Sequence, residues 1–375
     1  MMRVAIVSSE YPGPDLIYGD TFVHSRVRLY KEYCEVMVVG YHADLTHDRI
    51  FEFEGVNAYI TSDLTTFIQK LREFDPDVLA VHFINYKQIR ELQSLRKPLI
   101  IFVHGYEALS WKRRLMNYRT LGDLRYFLPY FLSNRKQIRA MKALAKESNQ
   151  EGNYQFVFVS QWLRKAVESD WKMKIKNYHV VPNGIDTQLF KFQRKPPELR
   201  KRILLLRSFK ARNYANDLAI DAILLLSKKE FFNDLEFSIF GEGFLFSTLT
   251  GKIEQFSNVR LNNFFVENKS IPEIHAKHGI FLCPSRLDTQ GVSMCEAMSS
   301  GLVPITSAIG GIPEYATDEF SSFQVTTPYE IAEKISFLYH NPDEFLKMSA
   351  RASQEIADKC SLLRTVKSEI DIFNQ

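Results

Sequence analysis

Residues 284–314 read PSRLDTQGVSMCEAMSSGLVPITSAIGGIPE. With the apolar run GIFLC at 279–283 before it, the stretch is a strand, a loop, a helix of small residues and a second strand, closed by a glycine pair. Such a unit builds a parallel α/β sheet. Asp288 and Glu296 stand eight positions apart, and Gly291 and Val292 between them break the loop and open the helix. That spacing sets one carboxylate before the helix N-terminus and the other about a turn and a half inside it. Helix N-termini carry unpaired N–H groups and partial positive charge, so a phosphate-bearing ligand suits this place.

The same alternation extends outward in both directions. Upstream lie apolar runs at 202–206 (RILLL), 235–240 (LEFSIF) and 258–261, with helical patterns at 214–230 and 271–278. Earlier still come runs at 3–7, 35–40, 56–60, 77–83, 98–104, 155–160 and 178–182, most of them separated by helical patterns. A helix is expected to start near Asp20, an acceptable N-cap. Between the two sets, residues 187–200 (TQLFKFQRKPPELR) are basic and punctuated by Pro-Pro, the signature of a linker. The expectation is an α/β chain of two Rossmann-like domains with parallel sheets facing a cleft, at 1–186 and 201–355, and a final helix at 356–375.

Composition bounds what these domains do. The 375 residues are 45% hydrophobic and 25% charged, and the net charge of +4 is too mild to argue for nucleic acid. Cys34, Cys283, Cys295 and Cys360 have no metal-ligand spacing, which suits a reducing compartment. MMRVAIVSSEYPGPD has an apolar run of only four residues, so the start is expected to be a buried strand and no signal peptide. No segment approaches the roughly 18 apolar residues of a membrane span. A cytoplasmic location is the expectation.

Neither first strand is followed by GxGxxG; SSEYPGPD and RSFKARN stand there instead. This weakens any dinucleotide-dependent reading. The second loop offers Arg207, Lys210 and Arg212 at the end of a strand. These cations suit a diphosphate, or form a solvated loop; the spacing alone leaves both open.

Taken together, the motifs resemble those of glycosyltransferase family 4, whose two-domain architecture is called GT-B. The resemblance rests on VPNGID at 181–186 followed by Phe190, on Arg207 and Arg212, on FGEG at 240–243, on PSRLDTQGVSMCEAM at 284–298 and on GGIPE at 310–314. It implies that Arg207 and Arg212 hold the diphosphate of a nucleotide-sugar donor, with Gly291 and Val292 at the adjoining helix start. Glu296 then takes the ribose hydroxyls, and Val266 and Gly241 lie against the base. Asp288 and His104 stand near the donor sugar, and Gly19 forms a phosphate-facing turn. It implies transfer with retention to a saccharide or lipid-linked saccharide in cell-surface polysaccharide or lipopolysaccharide synthesis, with no cofactor and no metal. The final helix at 356–375 is then placed to pack back on the first domain.

Three departures bear on the detail. Asp288 stands where the family usually has Glu, Arg212 where it has Lys, and Tyr18-Gly19 where it has Gly-Gly. A shift of about 1 Å can cost a hundredfold when positioning is the mechanism. Two other readings therefore stay beside the transferase: a non-catalytic nucleotide-sugar-binding protein, and a nucleotide-sugar epimerase of the same fold.

Asp75-Pro76-Asp77 spells a metal-binding DxD but precedes a strand, where Asp-Pro marks a turn. His275 and His278 have helical spacing without a third ligand and read as a surface helix end. Glu107 either touches an acceptor or caps a helix. Residues 111–146 hold ten Lys or Arg against the single acid Asp123, interleaved with Trp111, Tyr118, Tyr126, Phe127, Tyr130 and Phe131. This segment is either a dock for an anionic membrane, which would place the protein on the inner face of the plasma membrane, or a helical pair with core aromatics and solvated charges. Nucleic acid is not expected as a partner.

Overall fold

A computed structural model describes residues 1–13, 16, 19–119, 121–152 and 154–375, with the side chains of 121 and 151 outside that description. Tyr18 lies outside the described residues. The chain divides into two compact units, Met1–Gly184 with Leu362–Gln375, and Ile185–Ser361.

The first unit runs β1 (Arg3–Val7), α1 (Thr21–Tyr30), β2 (Glu35–Tyr41), β3 (Arg49–Phe53), β4 (Val56–Thr61), α2 (Leu64–Phe74), β5 (Val78–His82), α3 (Ile89–Ser94), β6 (Leu99–Val103), α4 (Leu124–Glu151), β7 (Tyr154–Phe158), α5 (Gln161–Trp171) and β8 (Tyr178–Val180). Among the described residues its sheet has the order β3-β4-β2-β1-β5-β6-β7-β8. Every pairing is parallel except β3 with β4. β5 and β6 are buried at every position, as both-face coverage of a parallel sheet demands. β3 was not expected, because RIFEF alternates exposed and inward residues at the sheet edge and is not a continuous apolar run. Glu54 and Gly55, at φ 48° and 77°, form the two-residue turn that joins it to β4.

The second unit runs β9 (Arg202–Leu206), α6 (Asn216–Leu226), β10 (Glu236–Phe240), α7 (Phe246–Thr250), β11 (Val259–Asn262), α8 (Ile271–Ala276), β12 (Ile280–Cys283), α9 (Val292–Ser299), β13 (Val303–Thr306), α10 (Ile312–Tyr315), β14 (Phe323–Gln324), α11 (Pro328–His340) and α12 (Pro342–Cys360). Its sheet order is β11-β10-β9-β12-β13-β14, with all pairs parallel. One apolar cluster includes α6, α11 and Phe237, and another includes α9, Phe281 and the buried side of α12.

Two expected boundaries move. Residues 187–200 belong to the second unit: Phe190 is buried in its core, and the buried Lys195 donates from Nζ to the His275 carbonyl (2.7 Å). Basic and Pro-rich composition suggested a linker, but Phe190 within it packs into the core. The boundary at 356 also moves, because α12 continues to Cys360 with Ile356 and Cys360 buried. The last helix, α13 (Leu362–Phe373), belongs to the first unit, where Glu369 accepts from Arg26 Nη1 (2.7 Å) and from Tyr30.

Candidate functional site

The second sheet switches its direction of growth between β9 and β12, the position where open parallel sheets bind ligands beyond their strand ends. Arg207 follows β9 directly and is buried. Its Nη1 donates to Ser293 Oγ (2.8 Å), its Nη2 donates to Ser285 Oγ (2.6 Å), and Asp288 Oδ2 lies 3.4 Å from Nη2. The Tyr214 ring covers the guanidinium with its centroid 5.0 Å away. The cation is thus fixed against the loop after β12 and the first turn of α9, a charged group held ready for an anion.

Asp288 has two tasks. Its Oδ1 accepts from the backbone N–H of Gly291 (2.7 Å) and Gln290 (3.3 Å), shaping the entry into α9, while Oδ2 faces Arg207. The Asp288 carbonyl accepts from Gly311 N–H (3.1 Å), so the GGIPE glycine pair braces this loop. Val292 is the first residue of α9, and Glu296 sits just over a turn further along it. Burial pushes the Glu296 carboxyl up to about 8, and among the described residues it has no hydrogen-bond partner.

Gly241 explains FGEG. A Cβ there would stand 1.9 Å from the Arg207 carbonyl oxygen, so the loops after β9 and β10 meet only over glycine. Gly241, Val266 and Arg207 line one cavity of about 180 Å³ with Tyr214, Phe240 and Phe265. Arg212 opens a short 3₁₀ turn (Arg212–Tyr214), and its carbonyl accepts from Arg286 Nη1 (3.0 Å). Arg286 itself is spent on a bidentate pair with Asp217 (2.7 Å for each bond).

In the first unit, His104 follows β6 and His82 ends β5, with His82 Nδ1 3.1 Å from His104 Nε2. Burial holds both imidazoles well below the usual histidine range, so both rings are neutral. The Glu107 carboxylate accepts from the backbone N–H groups of His104 (2.5 Å) and Gly105 (3.1 Å), which makes it a brace for the loop carrying His104. Burial pushes that carboxyl up to about 7 despite those bonds. Phe83, at φ 53°, packs its ring 4.4 Å from His104, a left-handed conformation that is costly for a bulky residue.

Gly19 lies against the loop after β1, where a Cβ would come 2.0 Å from the Glu10 carbonyl oxygen. Asp20 occupies the N-cap position of α1, but its side chain makes no cap bond. It accepts instead from Ser8 Oγ (2.7 Å), and burial pushes its carboxyl up to about 7. Asp20 and Glu10 line a cavity of about 580 Å³ with Tyr41, Phe83, Tyr86 and Tyr106. This space lies at the C-terminal ends of β1, β2 and β5, beside the switch point of the first sheet.

The structure therefore brings Arg207, Asp288 and Gly291 into one bonded group and sets Gly241 and Val266 beside Arg207, while His104 and Gly19 belong to the first unit. Sequence reasoning missed Ser285, Ser293, Tyr214 and Asp20, whose importance comes from what they touch. His275 and His278 are buried and not on a surface: His275 Nδ1 lies 3.0 Å from Ser300 Oγ, and His278 Nδ1 lies 2.7 Å from the Ile274 carbonyl. Asp75 ends α2 in the left-handed region, and Asp77 Oδ2 accepts from Arg3 N–H (2.7 Å). Among the described residues, no group of three or more His, Cys, Asp or Glu side chains is arranged to hold a metal ion.

Comparison with known proteins gives the family. The family described as Glycosyl transferases group 1 matches residues 186–356, and Glycosyltransferase Family 4 matches residues 28–189. The chain is 24% identical over 139 residues to the alpha-maltose-1-phosphate synthase of Mycolicibacterium smegmatis, a match covering 34% of this chain and 36% of that protein. It thus spans only about a third of that relative's length. Among solved structures, sucrose-phosphate synthase from Thermosynechococcus elongatus superposes with a TM-score of 0.76 at 12% identity, covering 100% of this chain and 99% of that one. Anabaena HepE in complex with UDP superposes with a TM-score of 0.72 at 14% identity, covering 100% of both chains. Both units carry the parallel α/β sheets of the GT-B fold, the two family matches together run from residue 28 to residue 356, and the chain belongs to the group 1 glycosyltransferases of family 4.

Proposed function

We propose that the protein is a retaining glycosyltransferase that moves a hexose-type sugar from a nucleotide-sugar donor to a saccharide or lipid-linked saccharide acceptor. Cell-surface polysaccharide or lipopolysaccharide assembly, on the inner face of the plasma membrane, is the setting we assign to it. The observation that supports this reading most is the buried guanidinium of Arg207, fixed by Ser285, Ser293 and Asp288 at the start of α9.

Breaking the anomeric C–O bond puts negative charge on the departing diphosphate and oxocarbenium character on the sugar. A cation held in place beforehand stabilises that charge without rearranging during the reaction. The N–H of Val292, at the start of α9, adds to it, while the Gly291 N–H is held by Asp288 Oδ1 and shapes the turn. Arg212 is the second diphosphate contact in this reading, which calls for no metal. The cavity at Gly241 and Val266 takes the base between aromatic walls, and Glu296 takes the ribose hydroxyls. HepE has been solved with UDP-glucose, which supports a uridine diphosphate sugar as the first donor to test.

Asp288 orients donor-sugar hydroxyls and does not attack carbon; its bonds to Gly291 and Arg207 hold it in one orientation. His104, as a neutral imidazole, suits hydrogen bonding to sugar hydroxyls, and Gly19 keeps the turn beside it close-packed. Retention follows if the departing phosphate takes the acceptor proton on the face it leaves. The first-unit cavity beyond β1, β2 and β5 suits the acceptor, since Asp20 and Glu10 accept from hydroxyls and the tyrosines stack on sugar faces.

Calorimetry on Arg207→Ala tests the placement of the donor. Removing charge-assisted phosphate bonds worth about 1.5–3 kcal/mol should weaken nucleoside diphosphate binding roughly 10- to 100-fold. Unchanged affinity would remove Arg207 from the diphosphate.

A further inference from the structure

The long helix α4 changes character along its length. From Asn134 onward one face is tied down: Asn134 Oδ1 accepts from Trp111 N–H (2.9 Å), Gln137 Nε2 donates to the Ile84 carbonyl (2.7 Å), and Met141, Leu144 and Ala145 are buried. The first turns have a different inner face. There Phe127 and Phe131 pack on Trp111, with ring centroids 5.6 and 5.1 Å away, and Phe127 also meets Tyr118 at 5.1 Å. The aromatic residues of this segment thus mostly serve local packing.

The outer face of those turns has no such partner. Leu124, Leu128 and Leu132 fall at four-residue spacing, one above the other on a single side of the helix, and are 56%, 57% and 52% exposed. Tyr126, on another side of the same turns, is 60% exposed. Leucines in this number on an open helix face need an explanation, because ordinary solvent-facing helix positions are polar. The stripe is bordered by cations: Arg119, Arg125, Arg135, Lys136 and Arg139 are all exposed. Arg125 and Arg135 lie over the rings of Tyr126 and Phe131 at 4.6 and 5.4 Å, charged heads on apolar bodies. Apolar side chains at the tip with a collar of cations match the two layers of an anionic bilayer surface, acyl boundary and headgroups.

We infer that Leu124, Leu128 and Leu132, with the cations around them, form a dock on which the first unit binds an anionic phospholipid bilayer by shallow insertion. The charge pattern selects this partner: the collar repels a second copy of itself, and it has a complement in phosphate headgroups. The placement also revises which cations count. Arg113 is half-buried and engaged with Asp170 (2.8 Å), and Arg114 is half-buried over the Tyr106 ring (4.8 Å), whereas Arg125 and Arg135 stay exposed although each lies over a ring. Among the described residues no helix is long and apolar enough to cross a membrane, and the dock requires none. It depends on the first unit alone and stands whether or not the donor chemistry above is right.

Sedimentation with vesicles tests it. The full chain should pellet with vesicles of equal phosphatidylcholine and phosphatidylglycerol, and should stay in solution with phosphatidylcholine alone. At about 1 kcal/mol per cation near the surface, neutralising Arg125, Arg135 and Lys136 together to Gln should lower the partition coefficient roughly a hundredfold. Leu124→Ser, Leu128→Ser and Leu132→Ser together should release the protein while the cations remain. An unchanged circular dichroism spectrum and unchanged nucleotide binding show that each triple variant is folded. Equal pelleting of wild type and both variants, or no pelleting of wild type, overturns the proposal. So does a wild-type dimer in sedimentation velocity that the leucine variant converts to monomer, since that assigns the face to a second copy.

Discussion

Glu296 shows how far a single side chain can be read from its surroundings. Its carboxyl makes no hydrogen bond among the described residues, and burial pushes it up to about 8. In the unfolded chain the same group titrates near 4.3. The folded form therefore binds the proton more tightly, and this contribution to stability is full below the unfolded pKa and is lost as pH rises towards 8. Glu296→Gln has no such loss, so its melting temperature should gain on wild type between pH 5 and pH 8, and a difference that stays flat across that range would show the carboxyl to be solvated. Such a property is invisible in the sequence, which gives the residue and its spacing but not its neighbours. The same holds for Ser285 and Ser293, which matter because they hold Arg207, and for Asp20, which resembles an ordinary helix cap until its bond to Ser8 is seen. Arg207 stands out in the sequence by its charge at a strand end and Asp288 by its place before a helix start, while Gly241 is singled out by the family resemblance and its need for glycine is seen only in the fold.

At the scale of elements, strands buried on both faces announce themselves as apolar runs, and β1, β5, β6 and β9 lie within a residue of their expected positions. Two of the edge strands do not: β3 alternates, and β14 is only two residues long. The last helix is tied to α1 by one buried group. Arg26 donates to Glu369 (2.7 Å) and to Asn183 Oδ1 (2.8 Å), and both partners of the ion pair are essentially inaccessible to solvent. Breaking such a pair from one side leaves an uncompensated buried charge and typically costs about 3–5 kcal/mol. Arg26→Met should therefore lower the unfolding free energy of the first unit, measured in urea, by an amount in that range, and a loss under about 1 kcal/mol would mean that the packing of α13 does not depend on the pair. Composition misplaced the linker for a related reason: 187–200 is basic and Pro-rich, yet Phe190 and Lys195 are buried and the segment belongs to the second unit.

For the whole molecule, net charge was the least informative quantity. A total of +4 conceals a segment at 111–146 with ten cations against one acid, and the structure sorts those cations into engaged and exposed sets. Fold and family follow from the two parallel sheets and the two family matches; the activity rests on what a complete chain does with a donor and an acceptor together. The most direct measurement is free nucleotide release from a panel of nucleotide-sugar donors, with and without a membrane extract as acceptor source. Release is expected from one donor, rising when the extract is added and lost in Arg207→Ala. Donor binding without release in every mixture, or a changed sugar still joined to its nucleotide, would contradict it.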